Sequence, residues 1–179
     1  MASILTGAAR AAHSAVASVL AAGQINTGED IPAVNVKEDN PEKGFTLDLS
    51  GENIILGVPG AFTPACSSQV PQYIKDYDKY KAKGINDIYV VAVNDAFVTK
   101  AWREKLAPQG TGVRFIADDK GELTSRLGLI FDASGLLGSP RSKRYAIVAQ
   151  DNKVQFIAVE TEPADTTMTA SEVVLSQIA

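Results

Sequence analysis

The sequence predicts an α/β domain in which a mixed central sheet is flanked by helices. Short apolar runs typical of buried strands alternate along the chain with segments of helical character. Near the C-terminus, Gln150-Asp151-Asn152 separates two strand-like runs, which indicates a β-hairpin. A length of 179 residues with 45% hydrophobic residues is enough for one ordinary core.

The elements follow one another in a recognisable order. Residues 45–49 alternate with a period of two, and residues 53–58 form a continuous apolar strand. Residues 64–83 predict a helix that Pro71 should kink. Next come a buried strand over 87–93, a helix over 96–106, a strand over 113–117 and a short helix over 122–127 that ends at Gly128. The hairpin strands span 144–149 and 153–159, and a helix over 171–178 closes the chain. This order is that of a thioredoxin-like fold over residues 25–179.

Residues 1–24 are predicted to be a leader outside that domain. They are rich in alanine, and no acidic residue precedes Glu29. The composition is typical of a mitochondrial transit peptide, and a mobile terminal helix is the alternative. The segment is too short and too broken by polar residues for a transmembrane helix. We therefore expect a mitochondrial protein, or otherwise a cytoplasmic one, and no membrane partner.

Charge and side-chain inventory exclude several classes of function. The net charge is −4, and the only basic cluster is Arg141-Ser142-Lys143-Arg144, so we expect no nucleic-acid partner. Cys66 is the only cysteine, hence an intramolecular disulfide cannot form and a Cys/His metal site cannot be assembled. The single histidine, His13, lies in the leader, which argues against a Cys–His hydrolase.

Cys66 is predicted to be a nucleophile at the start of a helix. It follows an apolar strand and the loop Val58-Pro59-Gly60-Ala61-Phe62. Thr63 is a suitable N-cap, Pro64 suits the first helical position, and Cys66 then occupies the third. The positive end of a helix favours thiolate over thiol. The alternative is an inert buried cysteine, which needs neither a cap nor a loop approach.

These residues resemble those of the peroxiredoxins. The family signature Pro-x-x-x-Thr-x-x-Cys is present as Pro59, Thr63 and Cys66. Further blocks resemble the type II, or atypical, branch of the family, and the likeness runs from about Ile25 to the C-terminus. These blocks are residues 58–66, 70–71, 81–84, 93–98 and 141–145.

The resemblance implies a role for each residue of the site. Cys66 would be the peroxidatic nucleophile that becomes a sulfenic acid. Thr63 would hold the peroxide by its hydroxyl, with the backbone N–H of Cys66 as a second donor. Arg144 would lie near the sulfur and favour the thiolate, with Arg141 as the competing candidate. Pro59 would shield the sulfenate from water. No cofactor and no metal is implied.

The chain departs from its relatives in lacking a resolving cysteine. Ala170 and Val90 occupy the places where many type II members carry one. The sulfenic acid would therefore be reduced by an external thiol, with glutathione plus glutaredoxin or thioredoxin as the candidate reductants.

Three functions follow from these features. The first is a thiol-dependent peroxidase that reduces hydrogen peroxide and organic hydroperoxides, packed as a homodimer. The second is a redox sensor that relays oxidation from Cys66 to a partner protein. The third is a non-catalytic interaction module, which the presence of Pro59, Thr63, Cys66 and Arg144 together disfavours.

Overall fold

The computed structural model describes residues 23–178. Residues 1–22 of the predicted leader therefore lie outside the described residues. The chain packs on the domain from Ile25, which is buried and whose N–H donates to the carbonyl of Leu127 at 2.9 Å. Within residues 23–178, no helix combines the length and the apolar character that crossing a membrane needs.

The described residues form a mixed sheet of seven strands, a separate two-stranded ribbon and six helices. The strands are β1 Val36–Lys37, β2 Gly44–Phe45, β3 Glu52–Val58, β4 Ile85–Ala92, β5 Arg114–Ala117, β6 Ile130–Phe131, β7 Arg141–Ser142, β8 Tyr145–Gln150 and β9 Lys153–Val159. The helices are α1 Pro64–Lys75, α2 Tyr77–Ala82, α3 Ala96–Leu106, α4 Glu122–Arg126, α5 Ser134–Leu137 and α6 Ser171–Ser176. The large sheet has the order β2-β1-β5-β4-β3-β8-β9, and β6 pairs with β7 in the ribbon.

Alternation along the central strands divides the core between the two faces of the sheet. Ile54 and Leu56 of β3 point to one face and pack with side chains of α1, α2, α3 and α6. Ile55 points to the other face, where α4 and the N-terminal loops cover it. The central strands are buried on both faces, which is why they appear in the sequence as continuous apolar runs.

Strand pairing brings the C-terminal ends of β3 and β4 and the N-terminal end of β8 to one edge of the sheet. β3 and β4 are parallel with Val58 opposite Ala92, whereas β8 is antiparallel to β3 with Gly57 opposite Tyr145. The loops after β3 and β4 therefore meet the residues that precede β8. In open α/β sheets this edge is where ligands bind.

The fold class predicted from the sequence is confirmed, because the structure is a mixed central sheet with flanking helices. The helix over 96–106 and the strand over 153–159 have the predicted bounds, and Gly128 follows α4 with a positive φ of 67°.

The strand expected over 45–49 is wrong beyond Phe45. Only Gly44–Phe45 pairs, with β1, and the chain then runs as a loop in which Ser50 N–H donates to Asp48 Oδ1 at 3.1 Å. Leu47 and Leu49 nevertheless pack on the core. The alternation therefore came from packing without strand pairing.

The helix expected over 64–83 is two helices, and its break lies at Asp76 instead of Pro71. α1 continues through Pro71 to Lys75, whereas Asp76 has φ −89° and ψ 4° and begins α2. The Asp76 carboxylate accepts hydrogen bonds from Ser171 Oγ at 2.8 Å and Lys79 Nζ at 2.7 Å. Contacts distant in sequence therefore stabilise the break at Asp76. Pro71 removes one backbone hydrogen bond, and a packed helix tolerates that loss. The strands β1, β6 and β7 and the helix α5 were not predicted.

Candidate active site

The loop after β3 is held in a conformation that its sequence alone does not favour. Phe62 has a φ of 64°, in the left-handed region that non-glycine residues rarely adopt. The N–H of Ala61 donates to Asn94 Oδ1 at 3.0 Å, and Asn94 belongs to the loop after β4. The neighbouring loop therefore fixes the approach to helix α1.

Thr63 is the N-cap residue of α1, as predicted, but its side chain makes no capping hydrogen bond, so the expectation of a side-chain cap is wrong. Its hydroxyl donates to the carbonyl of Gly60 at 2.9 Å instead. The threonine carbonyl accepts from Ser67 N–H at 2.9 Å and so closes the first turn. With its proton committed to Gly60, the hydroxyl oxygen of Thr63 keeps lone pairs that can accept a hydrogen bond from a ligand.

Cys66 is the third residue of α1, as the sequence predicts, and it has no exposed surface. In the part of the chain that the structure describes, no backbone carbonyl accepts from its N–H. This N–H is one of the unpaired donors of a helix start. A ligand beside the sulfur can therefore accept a hydrogen bond from it.

Arg144 donates to the sulfur from the loop that precedes β8. Its Nη2 lies 3.4 Å from Cys66 Sγ, and the residue is 1% exposed. Nη2 and Nε also donate to the carbonyl of Pro163, at 2.7 Å and 3.1 Å. The register of β3 and β8 explains the meeting, because Arg144 directly precedes the Tyr145 that faces Gly57.

The guanidinium of Arg144 is a buried cation whose other acceptors are neutral. None of the ion pairs formed among residues 23–178 includes it. A buried charge without a counter-charge is costly, by several kcal/mol. A thiolate at Cys66 supplies the negative charge that this cation lacks.

Gln69 completes the immediate surroundings of Arg144 and was missed from the sequence. Its Oε1 accepts from Arg144 Nη1 at 2.6 Å, and the side chain is 4% exposed. The available signal was spacing, since a residue three positions after Cys66 in a helix lies on the same face.

Arg141 lies apart from the sulfur. Its Nη1 donates to the carbonyl of Val93 at 3.1 Å and its Nη2 to that of Leu137 at 3.1 Å, while its Nε is buried without a partner among the described residues. Partial burial lowers the pKa of this guanidinium. Arg141 thus ties α5 to the loop after β4.

A largely apolar cavity of about 470 Å³ opens beside the helix start. Thr63, Asp132 and Arg144 contribute its polar side chains. Its apolar lining includes Pro59, Phe131, Ala133, Leu136, Leu137 and Pro163. Pro59 is buried and lines this cavity together with Thr63. Among residues 23–178 no group of three His, Cys, Asp or Glu side chains is arranged to hold a metal ion.

Comparison with known proteins agrees with this geometry. Residues 26–174 match the Redoxin family. Peroxisomal membrane associated protein 20 of Schizosaccharomyces pombe is 48% identical over 155 residues, which are 86% of this chain and 99% of that protein. Peroxiredoxin-2F, mitochondrial, of Arabidopsis thaliana is 43% identical over 126 residues, 70% of this chain and 62% of that protein. The chain belongs to the peroxiredoxins of the Redoxin family.

Solved structures of peroxiredoxins share the fold. Peroxiredoxin 5 from Alvinella pompejana has a TM-score of 0.77 and 37% identity, covering 86% of this chain and 97% of its own. Reduced Prx3 from Vibrio vulnificus, in complex with hydrogen peroxide, has a TM-score of 0.80 and 32% identity, covering 87% and 100%. The chain is accordingly a thiol-dependent peroxidase with a single cysteine.

Proposed function

We propose that Cys66 attacks the peroxide in a one-cysteine cycle. The thiolate sulfur bonds to the hydroperoxide oxygen that carries the proton, the O–O bond breaks, and the second oxygen leaves as alkoxide or hydroxide and takes a proton from solvent. Cys66 is oxidised to sulfenic acid and the peroxide is reduced to an alcohol or water. The observation that carries this proposal is the donor contact from buried Arg144 to the sulfur at 3.4 Å.

Each group around the sulfur has its own role in the attack on the peroxide. The lone pairs of Thr63 Oγ accept the peroxide proton, and the N–H of Cys66 donates to a peroxide oxygen. Arg144 stabilises the negative charge as it moves from sulfur to the leaving oxygen. Pro59 keeps water from the sulfenate. Arg144 is already within hydrogen-bond distance of the sulfur, so this donor needs little reorientation during the reaction.

The cavity supports organic hydroperoxides as substrates alongside hydrogen peroxide. Its lining between Pro59 and α5 is mostly apolar, and its volume of about 470 Å³ exceeds what hydrogen peroxide needs. An alkyl chain would lie against this wall while the peroxide group reached the sulfur.

The sulfenic acid is reduced by an external thiol, because the chain holds no second cysteine. The attacking thiol displaces water and forms a mixed disulfide, and a second thiol releases Cys66. Glutathione with glutaredoxin, or thioredoxin, would supply these thiols. Since Cys66 has no exposed surface, the first turn of α1 must open for the mixed disulfide to form.

The test is peroxide consumption with each reducing system in parallel, for the wild type and for Cys66→Ser. We expect many turnovers with one of the two systems and none for the serine variant, because its hydroxyl is a poor nucleophile. Consumption of one equivalent with transfer of the oxidation to a partner protein would favour the redox sensor instead. Substantial turnover by Cys66→Ser would refute the proposal.

A homodimer packed beside the active-site loops is also proposed. Phe62, in the loop after β3, is 46% exposed, and Phe97, the second residue of α3, is 68% exposed. The hydrogen bond from Ala61 to Asn94 joins the loop of Phe62 to the loop that leads into α3. Exposed aromatic side chains on neighbouring segments indicate a contact surface. Sedimentation of the wild type and of Phe97→Glu tests it, with a monomeric variant as the expected result and an unchanged mass as the contrary one.

For the location of the protein we propose import into mitochondria directed by residues 1–24. The alanine-rich, acid-free composition supports this, as does the similarity to a mitochondrial relative, whereas another relative is named for the peroxisomal membrane. Fluorescent fusions of the full chain and of a chain beginning at Ile25 test it. Only the full chain should enter mitochondria, and a peroxisomal or cytoplasmic full chain would contradict the proposal.

A further inference from the structure

A chain of buried hydrogen bonds runs from Arg144, away from the sulfur, to a carboxylate in the C-terminal segment. Arg144 Nη1 donates to Gln69 Oε1 at 2.6 Å, and Gln69 Nε2 donates to Thr169 Oγ1 at 2.7 Å. Thr169 Oγ1 donates in turn to Glu160 Oε1 at 2.9 Å. All four side chains are buried. A continuous path therefore joins a buried cation to a buried carboxylate.

The two charged ends give every bond in this path one direction. A carboxylate only accepts, so the Thr169 hydroxyl must donate to Glu160 and offer a lone pair to Gln69. A guanidinium only donates, so Gln69 must turn its oxygen toward Arg144 and its nitrogen toward Thr169. The carbonyl of Thr169 reinforces this orientation by accepting from Gln69 Nε2 at 3.0 Å. Reversing the amide would break the bonds at both of its ends.

Glu160 is itself held by three donors. Thr169 donates to Oε1 through its N–H at 2.9 Å as well as through its hydroxyl, and Thr167 Oγ1 donates to Oε2 at 2.9 Å. Burial raises the pKa of Glu160, but these hydrogen bonds outweigh it and leave the pKa below its ordinary value of 4.5. The carboxylate is therefore ionised at neutral pH.

We propose that Glu160, acting through Thr169 and Gln69, is a positioning residue that holds the Arg144 guanidinium against the sulfur of Cys66. This inference rests on the proposed function of that site. A carboxylate in direct contact with Arg144 would compete with the thiolate for its N–H groups. Set two side chains away, Glu160 orients the guanidinium through neutral groups and leaves Nη2 free to donate to Cys66.

The experiment removes the hydrogen bonds of the Thr169 hydroxyl with a substitution that nearly preserves the shape of the side chain. Thr169→Val removes the hydroxyl, whereas Thr169→Ser keeps it. The thiolate fraction of Cys66 at neutral pH is measured from its ultraviolet absorbance, with Cys66→Ser as the blank, and the oxidation rate from a single turnover with hydrogen peroxide. We expect Thr169→Val to lower the ratio of thiolate to thiol and the oxidation rate roughly ten-fold each, and Thr169→Ser to keep both near the wild-type values. Glu160→Gln should act in the same direction as Thr169→Val.

Thr167→Val is the matched control. It makes the same substitution and removes a bond to the same carboxylate, but from the oxygen that lies off the path to Gln69. We expect both measurements to stay near the wild-type values. Equal losses for Thr167→Val and Thr169→Val would overturn the inference, since they would indicate general loosening of the segment.

A loss of stability in Thr169→Val with an unchanged thiolate fraction and oxidation rate would also overturn it. If that variant does not fold, Glu160→Gln replaces it, and wild-type values there have the same meaning. These outcomes are distinct from failure of the proposed function, which activity in Cys66→Ser would reveal.

Discussion

Replacing Arg144 by Gln tests the chemistry of the site most directly. The substitution removes the cation whose Nη2 lies 3.4 Å from Cys66 Sγ. At that separation two opposite charges attract by about 5 kcal/mol for an effective dielectric constant of about 20. Much of this attraction is cancelled, because the buried guanidinium also had to give up its water. A remainder of only about 1.4 kcal/mol changes the ratio of thiolate to thiol ten-fold.

We therefore expect Arg144→Gln to lower the ratio of thiolate to thiol at Cys66 by at least about ten-fold. The single-turnover rate with hydrogen peroxide should fall further, by roughly a hundred-fold or more, because the donor also stabilises charge on the leaving oxygen. The thiolate fraction is measured by its ultraviolet absorbance against pH, and the rate by rapid mixing. The single cysteine lets the thiolate signal be assigned to one sulfur after the Cys66→Ser blank is subtracted.

Two further variants separate charge from geometry. Arg141→Gln removes a partly buried arginine of the same segment that makes no contact with the sulfur, so its thiolate fraction should remain near that of the wild type. Arg144→Lys keeps the charge but loses the planar fork, and an intermediate rate is expected. A folded Arg144→Gln protein with the wild-type thiolate fraction and oxidation rate would refute the reasoning. Greater sensitivity at Arg141 would refute it as well.

Three other outcomes are expected. Thr63→Val should slow peroxide reduction far more than it lowers the unfolding free energy, because the hydroxyl makes one hydrogen bond, to Gly60, worth about 1 kcal/mol. A Thr63→Ser control should retain the rate. An effect on stability alone would contradict the proposed contact between Thr63 and the peroxide. Glu160→Gln should make the free energy of unfolding, measured with a chemical denaturant, fall less steeply as the pH is lowered. A carboxylate with a lowered pKa stabilises the fold above its ordinary pKa of 4.5 and loses that contribution as the pH falls through the folded value. The same pH dependence in the variant and the wild type would contradict the lowered pKa of Glu160. Gly57→Ala should cost about 3 kcal/mol of unfolding free energy, because the added Cβ would overlap the ring of Tyr145. A wild-type melting curve would contradict that packing.

The elements that sequence reasoning placed well are those whose hydrophobic pattern is set by the sheet. β3, β4 and β8 are buried on both faces, so their apolar runs mark them whatever their neighbours are. The helix α3 has a side-chain cap, with Asp95 accepting from Val98 N–H at 3.0 Å, and its bounds match the prediction. In these elements local signals and tertiary contacts agree.

The elements that were misplaced depend on contacts distant in sequence. The break at Asp76 is held by Ser171, and the Thr63 hydroxyl bonds to Gly60 because Asn94 fixes the loop. No local pattern contains those partners. Gln69 and Glu160 were missed for the same reason, since a glutamine in an amphipathic helix and a glutamate at the end of a strand look like surface residues until the fold buries them.

The choice between the two arginines shows how sheet register determines chemistry. Arg141 and Arg144 are three residues apart in one basic cluster, so the sequence offers either as the arginine beside the sulfur. Arg141 lies in β7 of the ribbon, opposite Phe131 of β6, and its guanidinium donates hydrogen bonds to the carbonyls of Val93 and Leu137. Arg144 immediately precedes β8, whose pairing with β3 sets it beside the end of the strand that leads to Cys66. A shift of one residue in that pairing would turn the side chains of β8 to the opposite face of the sheet. The position of the guanidinium therefore depends on the packing of β8, and the reactivity of the sulfur on the same hydrophobic pattern that specifies the core.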